Sequence, residues 1–375
     1  MRPPAAPAVL SGYDAFVEAL LRDVHASGRG DRVHVSTYII EPGESSERVL
    51  AALVAAARRG AWVRLACDAS WASWLSRFVE RTSTLLPTAR RLAADVERLR
   101  VIGRRAYDHS KVAWIQRQGE PPIAFLGGIN LGDRFRPWQD FALRLEGPPA
   151  LQVRARLRGA PPGAIPDFVL NLPRRGRYDL EPTLAEVCAD PTVTRLRFVH
   201  AYLDPTGCAL LRRALARGAR VELVLPRVPN VYPHANAAAI EGLRAGGGAL
   251  EVRLHPRMIH AKAALFEREG ERVGFLGSCN LKRNSFRLFA ELNAWVRDPR
   301  ALATLEWEFA RIWREADPAP ARLRYGPLRA WVETRFGQLI RLGLGVGEAD
   351  PEDRGGFLRA VSYRNGCMRS GRSRW

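Results

Sequence analysis

The chain has 375 residues, 47% of them hydrophobic, which is ample for a sizeable core. Its 58 Lys and Arg outnumber 39 Asp and Glu, and the formal charge of +19 favours anionic partners, either nucleic acid or an anionic membrane. An arginine bias of the coding sequence is an alternative source of this charge. No apolar run approaches the ~20 residues that span a bilayer, and we expect neither a membrane span nor a signal peptide. Five scattered cysteines without a Cys-x-x-Cys pair predict a reducing compartment and no structural zinc site.

The predicted elements follow the same order in two halves of the chain. An apolar run with a late aromatic comes first, an amphipathic helical pattern ending in Arg-Gly follows, and a second apolar run closes the unit. These segments are 32–40, 49–59 and 62–67 in the first half, and 195–203, 209–217 and 221–225 in the second. Strand–helix–strand order predicts βαβ units and a largely parallel sheet. We therefore predict an α/β fold of two βαβ-rich lobes with mainly parallel sheets and a cleft between them.

The segments outside these units are less informative. Residues 154–177 are rich in Arg, Pro and Gly, as is typical of a connection between halves. Aromatic and aliphatic residues at helical spacing in 71–86 predict either a helix over the cleft or a core helix. An apolar stripe around Trp331, flanked by arginines, predicts a helix that lies on anionic lipid or packs on the domain. The predicted domains are 1–150, a linker at 151–180, 181–317, and an extension at 318–375.

A His-x-Lys pattern occurs twice, and the same accessory residues follow each copy. The distance from His to the later acid is 31 residues in both halves (140 − 109 and 291 − 260). Because residues two apart share a strand face, each His and Lys project together. A buried Lys beside a His is unfavourable unless an anion neutralises it, so the pattern predicts a phosphate site built from both halves. The matched residues are His109, Lys111, Asn130 and Asp140, and His260, Lys262, Asn280 and Glu291.

These motifs resemble the signature of the phospholipase D superfamily, and within it the bacterial cardiolipin synthase-like branch. That signature is H-x-K-x-x-x-x-D followed by a Gly-Ser/Gly-x-Asn element, present twice. Here it reads HSKVAWIQ…GGINLGDR…WQD and HAKAALFE…GSCNL…AELN. The resemblance covers roughly residues 15–315 and implies a duplicated phospholipase D-like fold with the active site at the interface of the halves.

The residue types predict phosphodiester chemistry. One imidazole attacks phosphorus and forms a phosphohistidine, while the other protonates the leaving alcohol and then deprotonates the acceptor. By resemblance, the nucleophile is His109 and the acid–base group is His260. Both lysines, both asparagines and the Ser278 hydroxyl are expected to hold the phosphoryl oxygens, and Asp140 and Glu291 to orient their respective imidazoles. No His, Cys and carboxylate cluster has metal-ligand spacing, so we expect neither a metal nor another cofactor.

The sequence departs from the family pattern at three positions. The terminal Asp of the motif is Gln116 in the first half and Glu267 in the second, and the Ser of the first Gly-Ser pair is Gly128. Because Gln116 lies five residues beyond Lys111, it faces the opposite side of a strand. We therefore expect Gln116 and Glu267 to support the site without reacting. The alternative is a decayed, weakly active homologue.

Three functions are compatible with this sequence. The first, which the resemblance favours, is a phosphatidyltransferase of the cardiolipin synthase type, with a phospholipid substrate and an anionic membrane as partners. The second is a phosphodiesterase acting on nucleic acid, and the third is a membrane-binding pseudoenzyme. We expect a cytoplasmic protein, peripheral on the inner face of the bacterial cell membrane, in which a monomer suffices for the site. Tyr38 and Tyr202 end the first strand of each half, where they are either cleft residues or ordinary strand-end aromatics.

Overall fold

The computed structural model describes residues 3–68, 84–104, 107–157 and 167–343. Within these ranges the N-terminal half forms a seven-stranded sheet. Its strands are β1 (Ala8–Ser11), β2 (Arg32–Thr37), β3 (Trp62–Asp68), β4 (Leu99–Arg104), β5 (Lys111–Gln116), β6 (Ile123–Gly127) and β7 (Phe141–Glu146). Its helices are α1 (Tyr13–His25), α2 (Glu44–Arg58), α3 (Leu86–Ala94) and α4 (Pro148–Leu157).

The C-terminal half repeats this plan and adds an edge strand at each side of a nine-stranded sheet, again within the described residues. Its strands are β8 (Phe168–Leu172), β9 (Arg177–Tyr178), β10 (Val193–His200), β11 (Arg220–Pro226), β12 (Leu250–His255), β13 (Lys262–Arg268), β14 (Glu271–Gly277), β15 (Glu291–Val296) and β16 (Asp317–Pro318). Its helices are α5 (Leu180–Ala189), α6 (Pro205–Ala216), α7 (Pro233–Ala245), α8 (Arg283–Arg287), α9 (Pro299–Glu315) and α10 (Pro327–Gly343).

The strand order of the N-terminal sheet is β4-β3-β2-β5-β6-β7-β1. The C-terminal sheet has the equivalent order β12-β11-β10-β13-β14-β15-β8, with β16 and β9 added at its two edges. The α/β class and the duplication are thus confirmed, but the sheets are mixed and not mainly parallel. Among the described strands, parallel pairing is limited to β2–β3–β4 and β10–β11–β12. The His-x-Lys strands β5 and β13 instead begin antiparallel meanders. The connections from β5 to β6 (117–122) and from β13 to β14 (269–270) are too short for the crossover that a parallel pair needs.

The halves share one hydrophobic core. Apolar side chains of both meanders, among them Val112, Phe141, Ala263 and Leu276, form a single buried cluster between the sheets. Two further clusters lie outside it, one under α1 and α2 and one under α5, α6 and α7. The sheets therefore pack face to face with helices on both outer surfaces. This arrangement fixes the two halves against each other and brings the strand ends together.

The described residues between and after the repeats form regular secondary structure. The predicted linker, 151–180, is corrected, because it contains the end of α4 and the strand β8, which pairs with β15 through Glu291↔Asn171. The C-terminal helix α10 packs on α7, and Glu333 accepts a hydrogen bond from the Ala235 backbone at 2.7 Å. Residues 71–83 of the predicted 71–86 helix lie outside the described residues. No helix in the described ranges is both long and apolar enough to cross a membrane.

Candidate active site

The two histidines lie just before the first strands of the two meanders. His109 precedes β5 and His260 precedes β13, and Lys111 and Lys262 are the first residues of those strands. The loop before His109 is held by Asp68, which accepts a hydrogen bond from the Asp108 backbone at 2.8 Å. Both imidazoles are buried, and both line the same cavity. The structure thus brings together the two halves of the predicted composite site.

Short backbone bridges connect the halves beside these histidines. Asp108 pairs with Ala290, and Gln139 pairs with Ile259. The His109 backbone N–H donates to the Ala290 carbonyl at 2.9 Å, and the His260 N–H donates to the Gln139 carbonyl at 2.8 Å. Each bridge joins the residue before a histidine to the residue before the acid of the other half. The backbone therefore places each acid beside the histidine of the opposite half.

The side chains follow this crossed arrangement. Glu291 lies 3.0 and 3.1 Å from Nδ1 of His109, and Asp140 lies 2.6 Å from Nδ1 of His260. The expectation that each acid orients the imidazole of its own half was wrong, because sequence spacing does not determine how the two halves pack. The crossing makes each imidazole depend on both repeats.

The tautomer of His109 follows from its contacts. Its Nδ1 faces two acceptors, the Glu291 carboxylate and the Ser278 carbonyl at 3.1 Å, so it must carry a proton. For His260 we assign the Nδ1 proton to the 2.6 Å contact with Asp140, although the Lys262 ammonium also lies 2.9 Å away. Within the described residues, neither Nε2 atom has a protein hydrogen-bond partner. Both Nε2 lone pairs are therefore available to a ligand in the cavity.

Ser278 supports the acid and is not aimed at a ligand. Its hydroxyl donates to the Glu291 carboxylate and accepts from the Leu292 backbone N–H at 3.1 Å. Its predicted role in holding phosphoryl oxygens is corrected accordingly. In the first half, a Cβ added at Gly128 would fall 2.3 Å from an Asp140 oxygen. The Asp140 carboxylate thus occupies the space in which Ser278 lies in the second half.

Burial dominates the electrostatics of the site. It lowers the pKa of His109 to about 4, against the opposing effect of Glu291, and lowers the pKa of His260 well below its usual value. Burial also raises the pKa of Asp140 to about 6, against the attraction of Lys262. It lowers the pKa of Lys111 to about 7, with help from Lys262, and the pKa of Lys262 to about 8. A bound anion would raise the pKa of both histidines and both lysines and so oppose the effect of burial.

The ammonium group of each lysine contacts the backbone of the histidine two residues before it. The Lys111 ammonium donates to the His109 carbonyl at 2.5 Å, and Lys262 makes the equivalent contact with the His260 carbonyl. Lys262 is 1% exposed, so its charge is almost fully removed from water. Asn130 and Asn280 both line the cavity. The Asn280 Oδ1 is buried without a hydrogen-bond partner in the described structure, whereas that of Asn130 accepts from the Ile39 backbone at 3.2 Å.

Aromatic rings surround both histidines. Tyr38 lies edge-on to His109 at 4.9 Å and Phe289 stacks on it at 5.4 Å, measured between ring centroids. On the other side, Trp138 and Tyr202 lie 5.1 and 6.5 Å from His260. Both predicted tyrosines therefore line the cavity. Sequence reasoning gave no role to the other two aromatics, although each comes two residues before an acid of the repeat.

Gln116 and Glu267 lie far from the cavity. Gln116 ends β5 and donates to the carbonyls of Arg117 and Glu120, which stabilises the turn into β6. Glu267 lies near the end of β13 and forms ion pairs with Arg195 and Arg197. At about 3.3 Å per strand residue, each lies roughly 16 Å along its strand from the lysine. The predicted support of the catalytic site by these residues was wrong.

Comparisons with known proteins agree with this architecture. The family model for the PLD-like domain of cardiolipin synthase matches residues 190–313. Cardiolipin synthase A of Pectobacterium carotovorum is 31% identical over 157 residues, which cover 38% of this chain and 30% of that protein. Cardiolipin synthase A of Erwinia tasmaniensis is 24% identical over 334 residues, 77% of this chain and 65% of that protein. The chain thus covers less than two thirds of either relative.

Solved structures share the fold at low sequence identity. Phosphatidylserine synthase of Haemophilus influenzae has a TM-score of 0.67 and 13% identity, covering 91% of this chain and 95% of that one. Polyphosphate kinase of Porphyromonas gingivalis has a TM-score of 0.60 and 16% identity, covering 90% of this chain and 53% of that one. These likenesses concern the fold alone.

A duplicated pair of mixed sheets with crossed His–carboxylate contacts at their interface defines a phospholipase D-like protein. Together with the family and sequence matches, this architecture confirms the resemblance to the phospholipase D superfamily seen in the sequence. Within that superfamily, the chain is similar to the cardiolipin synthase branch.

Proposed function

We propose that this protein is a phosphatidyltransferase that moves a phosphatidyl group from a phospholipid to an alcohol acceptor through a phosphohistidine. One observation carries the proposal. Two buried imidazoles line one cavity, each with Nδ1 held by a carboxylate and Nε2 without a protein partner. This arrangement suits two successive displacements at phosphorus, in which one imidazole forms the covalent bond and the other moves the proton.

In the first displacement, Nε2 of His109 attacks the phosphorus of the donor phosphodiester. The new N–P bond forms as the bond from phosphorus to the headgroup oxygen breaks. His260, protonated at Nε2, gives its proton to the leaving oxygen, so the headgroup departs as a neutral alcohol. Because burial lowers the pKa of His260, this proton must be retained through the negative charge of the bound phosphate and the contact with Asp140.

In the second displacement, the hydroxyl of the acceptor gives its proton to the now neutral His260. Its oxygen attacks the phosphorus, the N–P bond breaks, and His109 returns to its starting form. Glu291 holds the Nδ1 proton of His109 throughout and stabilises the positive charge on the ring in the intermediate. Lys111, Lys262 and the two asparagines then stabilise the charge on the phosphoryl oxygens. Their roles depend on the lysines turning from the histidine carbonyls toward the bound anion.

The cavity favours a small headgroup with an attached apolar body. Its volume is about 440 Å³, within the usual range for small-ligand sites, and aromatic side chains form much of its wall. The similarity to cardiolipin synthases supports a phospholipid over other phosphodiesters. The second candidate, a phosphodiesterase acting on nucleic acid, is favoured by the formal charge of +19.

An exposed apolar patch near the cavity supports binding to a membrane surface. Leu328 and Trp331, one turn apart on α10, are 74% and 56% exposed. Val332, beside Trp331 on α10, lines the cavity itself. We propose that this patch lies on the anionic inner face of the cell membrane, where the net positive charge contributes further attraction. A lipid headgroup could then enter the cavity without leaving the interface.

The activity test uses vesicles that contain phosphatidylglycerol and phosphatidylethanolamine, with lipid products identified by mass spectrometry. We expect exchanged headgroups or a lipid with two phosphatidyl groups from the wild type, and none from His109→Ala. Parallel incubations with single- and double-stranded DNA test the second candidate. Cleavage of DNA without any change in the lipids would replace the proposed function by the nuclease, and activity on neither would support a pseudoenzyme.

The membrane contact is tested separately by sedimentation with anionic vesicles. We expect Trp331→Ala to weaken binding roughly tenfold, the scale for removing a large apolar side chain from an interface. Trp307→Ala is the matched control, because Trp307 is similarly exposed, at 59%, but lies on α9, which contributes no residue to the cavity wall, whereas α10 contributes Val332. Equal affinities for the two variants would contradict the proposed orientation.

A further inference from the structure

A third lysine lies in the wall of the cavity, and the mechanism above does not use it. Lys282 follows Asn280 by two residues and precedes helix α8. Its side chain is only 6% exposed, and it lines the same cavity as His260. Its ammonium lies 3.2 Å from the centroid of the Tyr232 ring and 5.6 Å from that of Tyr202. Tyr202 also contacts His260, so this lysine lies beside the reacting groups.

No protein carboxylate in the described residues pairs with this ammonium within 4.0 Å. The acids that attract it, Asp204 and Glu333, hold backbone groups instead. Asp204 accepts from the backbone of Thr206, Gly207 and Arg283, and Glu333 accepts from that of Ala235. Burial lowers the pKa of Lys282 to about 8, and the attraction of these acids only partly opposes it. A buried ammonium held only against aromatic rings is a strong site for an anion.

The first half offers no counterpart. The residue two positions after Asn130 is Gly132, and the cation that the first half does contribute to the cavity wall, Arg134, is paired with Glu41 at 2.6 Å. The transferred phosphodiester carries a single negative charge, for which Lys111 and Lys262 supply two positive charges in the mechanism above. The charge of Lys282 is therefore in excess of what the reacting phosphate requires. A ligand that matches it must carry a second anionic group.

We propose that Lys282, with Tyr202 and Tyr232, forms a second anion subsite, which binds a phosphate on the acceptor alcohol. Asn284 and the unpartnered Oδ1 of Asn280 line the same side of the cavity and can hold hydroxyl groups of that acceptor. The inference rests on the proposed function and deepens it, since it names the class of acceptor. That class is a phosphate-bearing polyol, either the headgroup of a second phospholipid or a soluble glycerol phosphate. Neutral alcohols would react without this contact.

The test compares glycerol, glycerol 3-phosphate and vesicle-borne phosphatidylglycerol as acceptors, with phosphatidylethanolamine as the donor. Lys282→Met keeps the length of the side chain and removes its charge. We expect KM for the phosphate-bearing acceptors to rise at least about tenfold, the scale of one lost charge-assisted hydrogen bond, with kcat unchanged. Transfer to glycerol should be unaffected. If glycerol 3-phosphate responds and phosphatidylglycerol does not, the soluble source is the acceptor, and the reverse result identifies the lipid.

Arg283→Gln is the matched control, because it removes an adjacent positive charge that is exposed and outside the cavity wall. Equal losses with glycerol and glycerol 3-phosphate in Lys282→Met would mean that the lysine only supports the fold, and would overturn the proposal. Calorimetric binding of glycerol 3-phosphate to wild type and Lys282→Met gives a readout without turnover. If lipid transfer fails in the wild type but this affinity difference remains, the proposed function is wrong and the subsite stands. Equal affinities overturn the subsite.

Discussion

The two halves of the site share a backbone plan but hold their histidines differently. In one, Glu291 reaches His109 with both carboxylate oxygens and is itself held by the Ser278 hydroxyl. In the other, Asp140 makes one shorter contact with His260, at 2.6 Å, and Gly128 leaves the space that its carboxylate needs. The two halves therefore place an acid and a small residue at equivalent positions, but the acid is Glu beside Ser in one half and Asp beside Gly in the other. This difference suits unlike tasks for the two imidazoles.

Removing either imidazole should have the largest effect on activity. We expect His109→Ala and His260→Ala each to lower turnover between ~10² and ~10⁴-fold, the scale for an acid–base or nucleophilic group. With a p-nitrophenyl phosphodiester, however, His260→Ala should still form the phosphohistidine, since a good leaving group needs little protonation. Rapid quench and peptide mass spectrometry locate the adduct. An adduct on His260 in the wild type would exchange the two roles.

The crossed contacts are tested by exchanging each acid for its amide. We expect Asp140→Asn and Glu291→Gln to lower kcat by about 10²-fold, because an amide no longer fixes the Nδ1 proton and the ring is misplaced. NMR titration of the imidazoles provides the sharper result. Asp140→Asn should change the pKa of His260 and leave that of His109 nearly constant, with the opposite pattern for Glu291→Gln. Changes within the same half instead would refute the crossing.

The two lysines predict a pH dependence that also differs between the halves. Each ammonium binds the substrate anion in its charged form, which is present below a pKa of about 7 for Lys111 and about 8 for Lys262. The bound phosphate raises both pKa values, so affinity is complete at low pH and is lost as the pH rises. KM should increase by up to about tenfold per pH unit above 7, while kcat changes less.

Lys111→Arg separates the contributions of the two lysines, because arginine stays charged throughout this range. In that variant the rise of KM should begin nearer pH 8, whereas Lys262→Arg should leave the onset near pH 7. A KM that is constant between pH 6 and 9 in the wild type would show that these ammonium groups do not bind the substrate anion.

The difference between Gly128 and Ser278 gives a smaller effect. In Gly128→Ala, the new methyl group lies against the Asp140 carboxylate and must displace it. We expect kcat to fall about tenfold, since a misplaced partner weakens the hydrogen bond to His260. Ser278→Ala removes one hydrogen bond to Glu291 and should lower kcat only about threefold. The opposite ranking would mean that the hydroxyl acts on the ligand, as the sequence first indicated.

Sequence reasoning found the features that depend on local spacing. The repeat of His, Lys, Asn and acid predicted the composite site, because matched spacing in two copies of a fold places these residues at equivalent strand ends. The prediction of mainly parallel sheets was wrong, because the strands after His109 and His260 pair with their sequence neighbours as antiparallel meanders. The crossed acids and the third cation at Lys282 depend on how the two sheets pack. Such contacts have no signature within one half of the chain.

Substitutions at Gln116 and Glu267 should have the smallest effect on activity, and they serve as negative controls. Both lie at the ends of their strands away from the cavity, where Gln116 holds a turn and Glu267 pairs with arginines. Gln116→Ala and Glu267→Gln should each leave kcat/KM within about twofold of the wild type. Each should lower the free energy of unfolding by about 0.5–1 kcal/mol, the usual worth of a partly exposed hydrogen bond or ion pair. Denaturant unfolding measures the second quantity.

A fall in kcat/KM of more than about twofold in a variant that stays folded would show that the strand transmits a displacement from its far end to the histidine. The two halves need not respond alike. Among the described residues, the Gln116 side chain hydrogen-bonds only to the turn of its own meander. The Glu267 side chain instead pairs with arginines of β10, the strand next to β13. If either variant impairs catalysis, we therefore expect it to be Glu267→Gln, with His260 as the group whose titration changes.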